Sequence, residues 1–166
     1  MTPIYDAGSQ AVKVRALLWF SLACAAGSTW AGVGLARTFG LAPEAGGVLA
    51  PLPVRLAWGI GVASVGLAFL AGMLVYARCY AARVAVDEEG GTLHVSRVGF
   101  LGTSTLRVPA ERVRGSEFHP GRADYGGVSV SAAWDTVRVE GRRLPLIVDA
   151  QGDVLDAGRA SRFLGI

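Results

Sequence analysis

His94 and His119 are the only two histidines in the chain, 25 positions apart. Imidazole is the usual general base near neutral pH and the commonest metal ligand. Neither histidine has a Cys, Asp or Glu at ligand spacing, and a lone histidine does not make a site. Each reads as a packed or solvated residue. Ser116, in Gly115-Ser116-Glu117, lacks the surroundings of a nucleophile elbow. Gly90-Gly91 and Gly126-Gly127 are turn glycines without the strand–GxGxxG–helix context of a dinucleotide site. Glu88 and Glu89 are paired acids in a turn, facing water. Cys24 and Cys79 are free thiols by the helix assignment below, which sets them at depths about 12 Å apart at 1.5 Å per residue; a disulfide needs Cα atoms within about 7 Å. The arginines remain. Arg112 and Arg114 flank Val113 and share a strand face, and Arg142 and Arg143 form a hairpin tip. Paired guanidinium groups can meet a phosphate or an acidic partner, although solvated strand arginines are the commoner outcome. The inventory predicts no catalytic, cofactor or metal site, and therefore no enzyme. It leaves Arg112, Arg114, Arg142 and Arg143 as candidate partner or anion contacts.

The elements that carry these residues divide sharply. Ala16–Ala36 and Leu56–Ala77 contain no Asp, Glu, Lys, Arg or His, and each reaches the roughly 20 apolar residues that cross a bilayer as a helix. Charges bracket both: Lys13, Arg15, Arg37, Arg55 and Arg78. The expected layout is an N-terminal tail over 1–15, transmembrane helices over 16–36 and 56–80, an interfacial loop over 37–55, and a soluble β-rich domain over 83–166. The loop is broken by Pro43, Gly46, Gly47, Pro51 and Pro53. Ser21-Leu22-Ala23-Cys24 only distantly matches a lipoprotein cleavage site. The apolar run also continues past Cys24, longer than a cleavable signal core, so the first helix reads as an uncleaved anchor.

Small residues recur every fourth position in both helices: Ala23, Gly27, Ala31; Ser28, Gly32, Ala36; Gly59, Ala63; and Ala68, Gly72. Such rows let helix backbones approach closely in lipid. The simple reading is that the two helices pack on each other. The sharper one gives one row of the first helix to its partner and the other to a larger membrane assembly. Trp19, Trp58, Tyr76 and Tyr80 fall near the membrane borders, where aromatic rings anchor helices, and Trp30 lies deeper, placed to pack on a neighbour. With no ionisable residue inside the spans, ion or proton transport is not expected.

The formal net charge of +3 belongs to topology. From Arg83 onward 11 Arg balance 11 Asp and Glu, whereas residues 1–82 carry five basic against two acidic residues. That is no nucleic-acid footprint. Four basic residues lie near the membrane on the terminal side (Lys13, Arg15, Arg78, Arg83) and two in the loop (Arg37, Arg55). The bias puts both termini and the β domain in the cytoplasm, on an inner membrane. All but one of the 16 basic residues are Arg, which fits a GC-rich bacterial genome.

In the C-terminal half, short alternating runs separated by turn residues predict strands over Arg83–Val86, Thr92–Val98, Ser104–Val108, Arg114–Phe118, Val128–Ser131, Thr136–Glu140 and Leu144–Val148. A bend is expected over Ala110–Arg114, a loop over His119–Gly127, and a terminal helix over Val154–Leu164 in which Leu155, Phe163 and Leu164 pack. This is the pattern of a small barrel or sandwich closed by one helix. Arg83–Val95, Gly99 and Leu106–Val113 resemble the opening of bacterial pleckstrin-homology-like domains, which often follow a membrane hairpin. Val137–Gly165 is similar to two-helix mitochondrial membrane proteins that assist assembly of respiratory complexes. The resemblance implies a membrane hairpin with a pleckstrin-like β domain, no catalytic residues and no cofactor. The expected function is a non-catalytic accessory subunit or assembly factor of a bioenergetic membrane complex, its partners the complex's subunits and the lipid bilayer. The alternative is a membrane-anchored pleckstrin-like module that binds a lipid or small ligand.

Overall fold

The computed structural model describes residues 1–41, 47–87, 91–125 and 128–166, and side chains outside 122–131. Glu88, Glu89, Gly90, Gly126, Gly127, Pro43 and Gly46, named above, lie outside the described residues. The chain forms two compact units: Ala16–Val75, and Met1–Arg15 together with Tyr76–Ile166.

The first unit is a helical pair. Helix α1 spans Ser9–Thr38 and α2 spans Leu52–Cys79; both are long and apolar enough to cross a membrane. Each runs past its uncharged stretch, because flanking arginines are good helix formers. Pro53 does not delay α2, since proline is tolerated in the first turn, where its missing N–H has no partner to lose. Much apolar surface is exposed: Trp30 by 83 %, Val65 by 72 % and Phe20 by 59 %. Trp30 is therefore largely uncovered by the described residues. Arg55 bonds the end of α1, its Nη1 donating to the carbonyls of Ala36 and Arg37 at 3.3 and 3.5 Å. That satisfies carbonyls a helix end leaves orphaned.

The second unit is built on antiparallel sheets. Strands β1 (Thr2–Asp6), β2 (Ala81–Asp87), β3 (Thr92–Val98), β4 (Thr103–Pro109) and β10 (Asp153–Val154) form a five-stranded sheet in the order β10-β1-β2-β3-β4. Strands β5 (Val113–His119), β8 (Trp134–Val139) and β9 (Leu146–Asp149) form a second sheet, ordered β5-β8-β9. β6 (Arg122–Tyr125) and β7 (Val128–Ser131) form a separate hairpin. Alternating residues of the two larger sheets, including Val84, Leu93, Val95, Val137 and Val148, meet in one core with Leu164 of the terminal helix α3 (Ala157–Leu164). Asp156 caps α3 by accepting from the Arg159 backbone N–H at 2.9 Å, and Gly165 ends it with a φ of 75°, the left-handed turn glycine allows.

Several expectations change. The N-terminal tail over 1–15 contains β1, which pairs with β2 and β10, and Ile4 and Tyr5 are fully buried. Pro3 argues against a central strand, but β10 reaches only Tyr5 and Asp6 and leaves the Pro3 side unpaired. Within 119–127, Arg122–Tyr125 is a strand, not loop, and pairs antiparallel with β7. The terminal helix starts at Ala157, because Val154 belongs to β10 and Asp156 is the cap. Leu155 is consequently exposed, while Leu164 is buried. Tyr80, read as a membrane-border anchor, is fully buried and joins the β unit's core.

Candidate functional site

In the helical unit the second small-residue row of α1 is consumed by α2. A Cβ on Gly32 would collide with the carbonyl oxygen of Gly59, and one on Gly59 would lie 2.6 Å from that of Gly32 and 3.1 Å from the Ala36 Cβ. Ala63 abuts the same place. A Cβ on Gly66 would meet the Ser28 hydroxyl and lie 2.8 Å from the Cys24 carbonyl oxygen. The close approach thus runs along Ser28, Gly32 and Ala36 against Gly59, Ala63 and Gly66. Gly66 was missed because it breaks the four-residue spacing, following Ala63 by three.

The other row is free. Ala23, Gly27 and Ala31 are exposed, and a Cβ on Gly27 would meet nothing within 4 Å. Trp30, seven residues from Ala23, stands on that same face. Gly72 on α2 is equally open.

In the β unit the four candidate arginines separate. Arg112 and Arg114 do not share a strand face. Arg112 closes a 3-10 turn over Ala110–Arg112, and Arg114 lies in β5 beyond it; Pro109 ends β4 and forces the bend. Arg114, Arg142 and Arg143 are brought to one open cleft of about 480 Å³, with Arg138 and Glu140. Arg114 is ion-paired to Glu140 at 2.6 Å and Arg138 to Glu117 at 3.2 Å. The hydrogen bond from Arg114 and its charge hold the Glu140 carboxyl below the usual range. Arg142 is half-buried and close to Arg97 of β3. Burial, then the Arg97 charge, pull its guanidinium below its ordinary value. Arg97 was overlooked, although Leu93, Val95 and Arg97 alternate on the inward register of one strand; an arginine there was the available signal.

The two histidines lie on different strands, His94 in β3 and His119 in β5. His119 stacks on Trp134 at 5.3 Å between centroids, with its Nε2 3.0 Å from the Thr136 hydroxyl. His94 is half-buried, opposite Ala85 and Arg107. Among the described residues no group of three or more His, Cys, Asp or Glu could hold a metal ion. Both cysteines are free thiols.

No protein-family model matches the chain, and neither a curated protein nor a solved structure matches it significantly.

Proposed function

We propose that this chain is a two-pass membrane protein that works by contact rather than catalysis, as an accessory subunit or assembly factor of a larger membrane complex. One observation carries the reading: α1 has two small-residue rows, and α2 occupies only one of them. In lipid, close backbone approach is a main source of helix affinity. A second row that meets nothing in the chain, on a face that also holds the exposed Trp30, suits a transmembrane helix of another protein. The exposed apolar belts of both helices support spanning, since a core helix of a water-soluble domain would bury them. The lysine and arginine bias supports cytoplasmic termini and β domain in a bacterial inner membrane. The pleckstrin-like character of that domain and the link to energy metabolism rest on the resemblance of Arg83–Val113 and Val137–Gly165.

The test is purification of the tagged chain from its own cells in mild detergent, followed by native electrophoresis and mass spectrometry. Stoichiometric co-migration with a large complex indicates a subunit, and substoichiometric association with unassembled subunits an assembly factor. Gly27→Leu is expected to lose that association while keeping the helical pair folded. Migration of the wild-type chain alone would sink the proposal.

A further inference from the structure

Trp134 and Asp149 are direct partners across β8 and β9, so their side chains leave the sheet on one face, about 5 Å apart at Cβ. Ile147 follows on that face, two positions along β9, opposite to the buried Leu146 and Val148. The Ile147 backbone meets Tyr80 in a parallel bridge, which brings the end of α2 over the same face. There the Tyr80 hydroxyl donates to Oδ2 of Asp149 at 3.5 Å, and the Tyr76 ring lies 5.7 Å from the Tyr80 ring between centroids.

These elements enclose an open cavity of about 290 Å³ lined by Tyr76, Ala132, Ala133, Trp134, Ile147 and Asp149. Tyr76 is exposed, and Trp134, Ile147 and Asp149 are half-buried, so a ligand reaches all four from solvent. The volume is near the lower end of small-molecule pockets, about 300 Å³. The walls are aromatic and aliphatic except for the Asp149 carboxylate. That group accepts from the Gln151 N–H at 2.8 Å and from Tyr80, and none of the ion pairs among the described residues includes it.

The combination selects a cation. Aromatic faces are negative and attract a cation within about 6 Å, and a carboxylate held against apolar walls gains most from an opposite charge. A primary ammonium would bring three N–H donors to walls that are mostly hydrocarbon. A methylated one has no donor to satisfy and sets its methyl groups against Ile147, Ala132 and Ala133. We propose that the cavity of Tyr76, Trp134 and Asp149 binds a quaternary ammonium group. A free small molecule or a lipid headgroup can carry that group. Tyr76 is next to the end of the uncharged stretch at Ala77, and aromatic rings at the end of a spanning helix sit at headgroup level. The lipid source rests on reading α2 as a span; recognition of the cation does not.

The experiment titrates the full chain in maltoside micelles with choline, with its uncharged isostere 3,3-dimethylbutanol, and with short-chain phosphatidylcholine and phosphatidylglycerol. Ligand-observed NMR reads the first two and native mass spectrometry the lipids. Choline binding identifies the free cation as sufficient. Phosphatidylcholine binding without choline binding identifies a lipid headgroup. In either case Asp149→Asn, which keeps an acceptor for Gln151 and the backbone bonds to Tyr5, is expected to bind about tenfold more weakly. Trp134→Leu is expected to bind roughly two- to fivefold more weakly, the size of a cation–π contact at an exposed site. Thermal melts of both variants accompany the titrations, and if Asp149→Asn fails to fold, Trp134→Leu decides. The proposal is overturned if wild type binds neither choline nor phosphatidylcholine, or if 3,3-dimethylbutanol binds as well as choline. It is equally overturned if the deciding variant binds as wild type does, or if choline fails to bind and phosphatidylglycerol binds as well as phosphatidylcholine. Helix docking would stand in all of these cases, since co-purification and Gly27→Leu read it separately.

Discussion

The two units hold themselves together by opposite means. Where α1 meets α2, contact depends on missing atoms: Gly32, Gly59 and Gly66 bring backbone against backbone, and the large side chains Trp30, Val65 and Ile60 point away. In the β unit contact depends on atoms present. Val84, Leu93, Val95, Val137 and Val148 fill a core, and Tyr5 links two sheets by hydrogen bonds. Its hydroxyl donates to the Asp149 carbonyl at 3.0 Å and accepts from the Asp149 N–H at 3.1 Å. The difference follows from the solvent each unit suits. In lipid a leucine gains nothing by leaving its surroundings, so packing favours small residues. In water burial of apolar area dominates, and small residues would waste it.

That contrast predicts that adding atoms breaks the helical pair and removing them breaks the β unit. Gly32→Leu gives the largest expected effect, because the new side chain must displace the α2 backbone at Gly59. The cost should reach about 3 kcal/mol, the upper end for overpacking, and appear in detergent as loss of cooperative helix melting by circular dichroism. Gly27→Leu is the control, with the melt kept within about 0.5 kcal/mol. Equal damage from both would mean that the two rows are not distinct.

A smaller effect is expected at Tyr5. Tyr5→Phe keeps the ring and removes the hydroxyl, leaving the Asp149 N–H without its acceptor, while the Asp149 carbonyl keeps the Gly152 N–H. The loss should be about 1–2 kcal/mol, measured by urea unfolding of the β unit's tertiary signal in the full chain. An unchanged midpoint would show that β1 does not couple the sheets.

The sequence was most readable where one constraint dominated. Absence of charge located both helices, though not their ends, and alternation marked β3 and β8. What it concealed were elements whose partners are remote. β1 is five residues containing a proline, and it makes sense only once β2, some 80 positions on, lies beside it. Arg15 looked like a topology charge, yet its guanidinium donates to the carbonyls of Gly99 and Gly102 at 3.3 Å each. Arg142 reads from the sequence as a hairpin-tip residue, yet it is half-buried. Local signals named the candidate arginines, and only the folded structure showed that Arg114 is ion-paired to Glu140.

The smallest predicted effect tests whether residues before α1 belong electrostatically to the β unit. Asp6 accepts from the Gly8 N–H at 2.9 Å and is ion-paired with Arg83 at 2.5 Å. The Gly8 backbone bond, the largest effect, holds its carboxyl below the ordinary value; burial opposes it as the next largest, and the hydrogen bond and charge of Arg83 add to the lowering. A carboxyl depressed in the folded state contributes stability above its unfolded pKa, about 3.9, and loses it as pH falls through the lower folded value. Asp6→Asn keeps an acceptor for Gly8 and removes the charge facing Arg83. It should therefore cost somewhat under 1 kcal/mol at pH 7, as expected for a largely exposed pair. The gap from wild type should narrow steadily below about pH 4. Urea midpoints of both chains at pH 7 and pH 3 provide the measurement. A gap that persists undiminished in acid would mean that Asp6 acts through shape and not charge, and that the N-terminal strand is held by Ile4, Tyr5 and its backbone ladder alone.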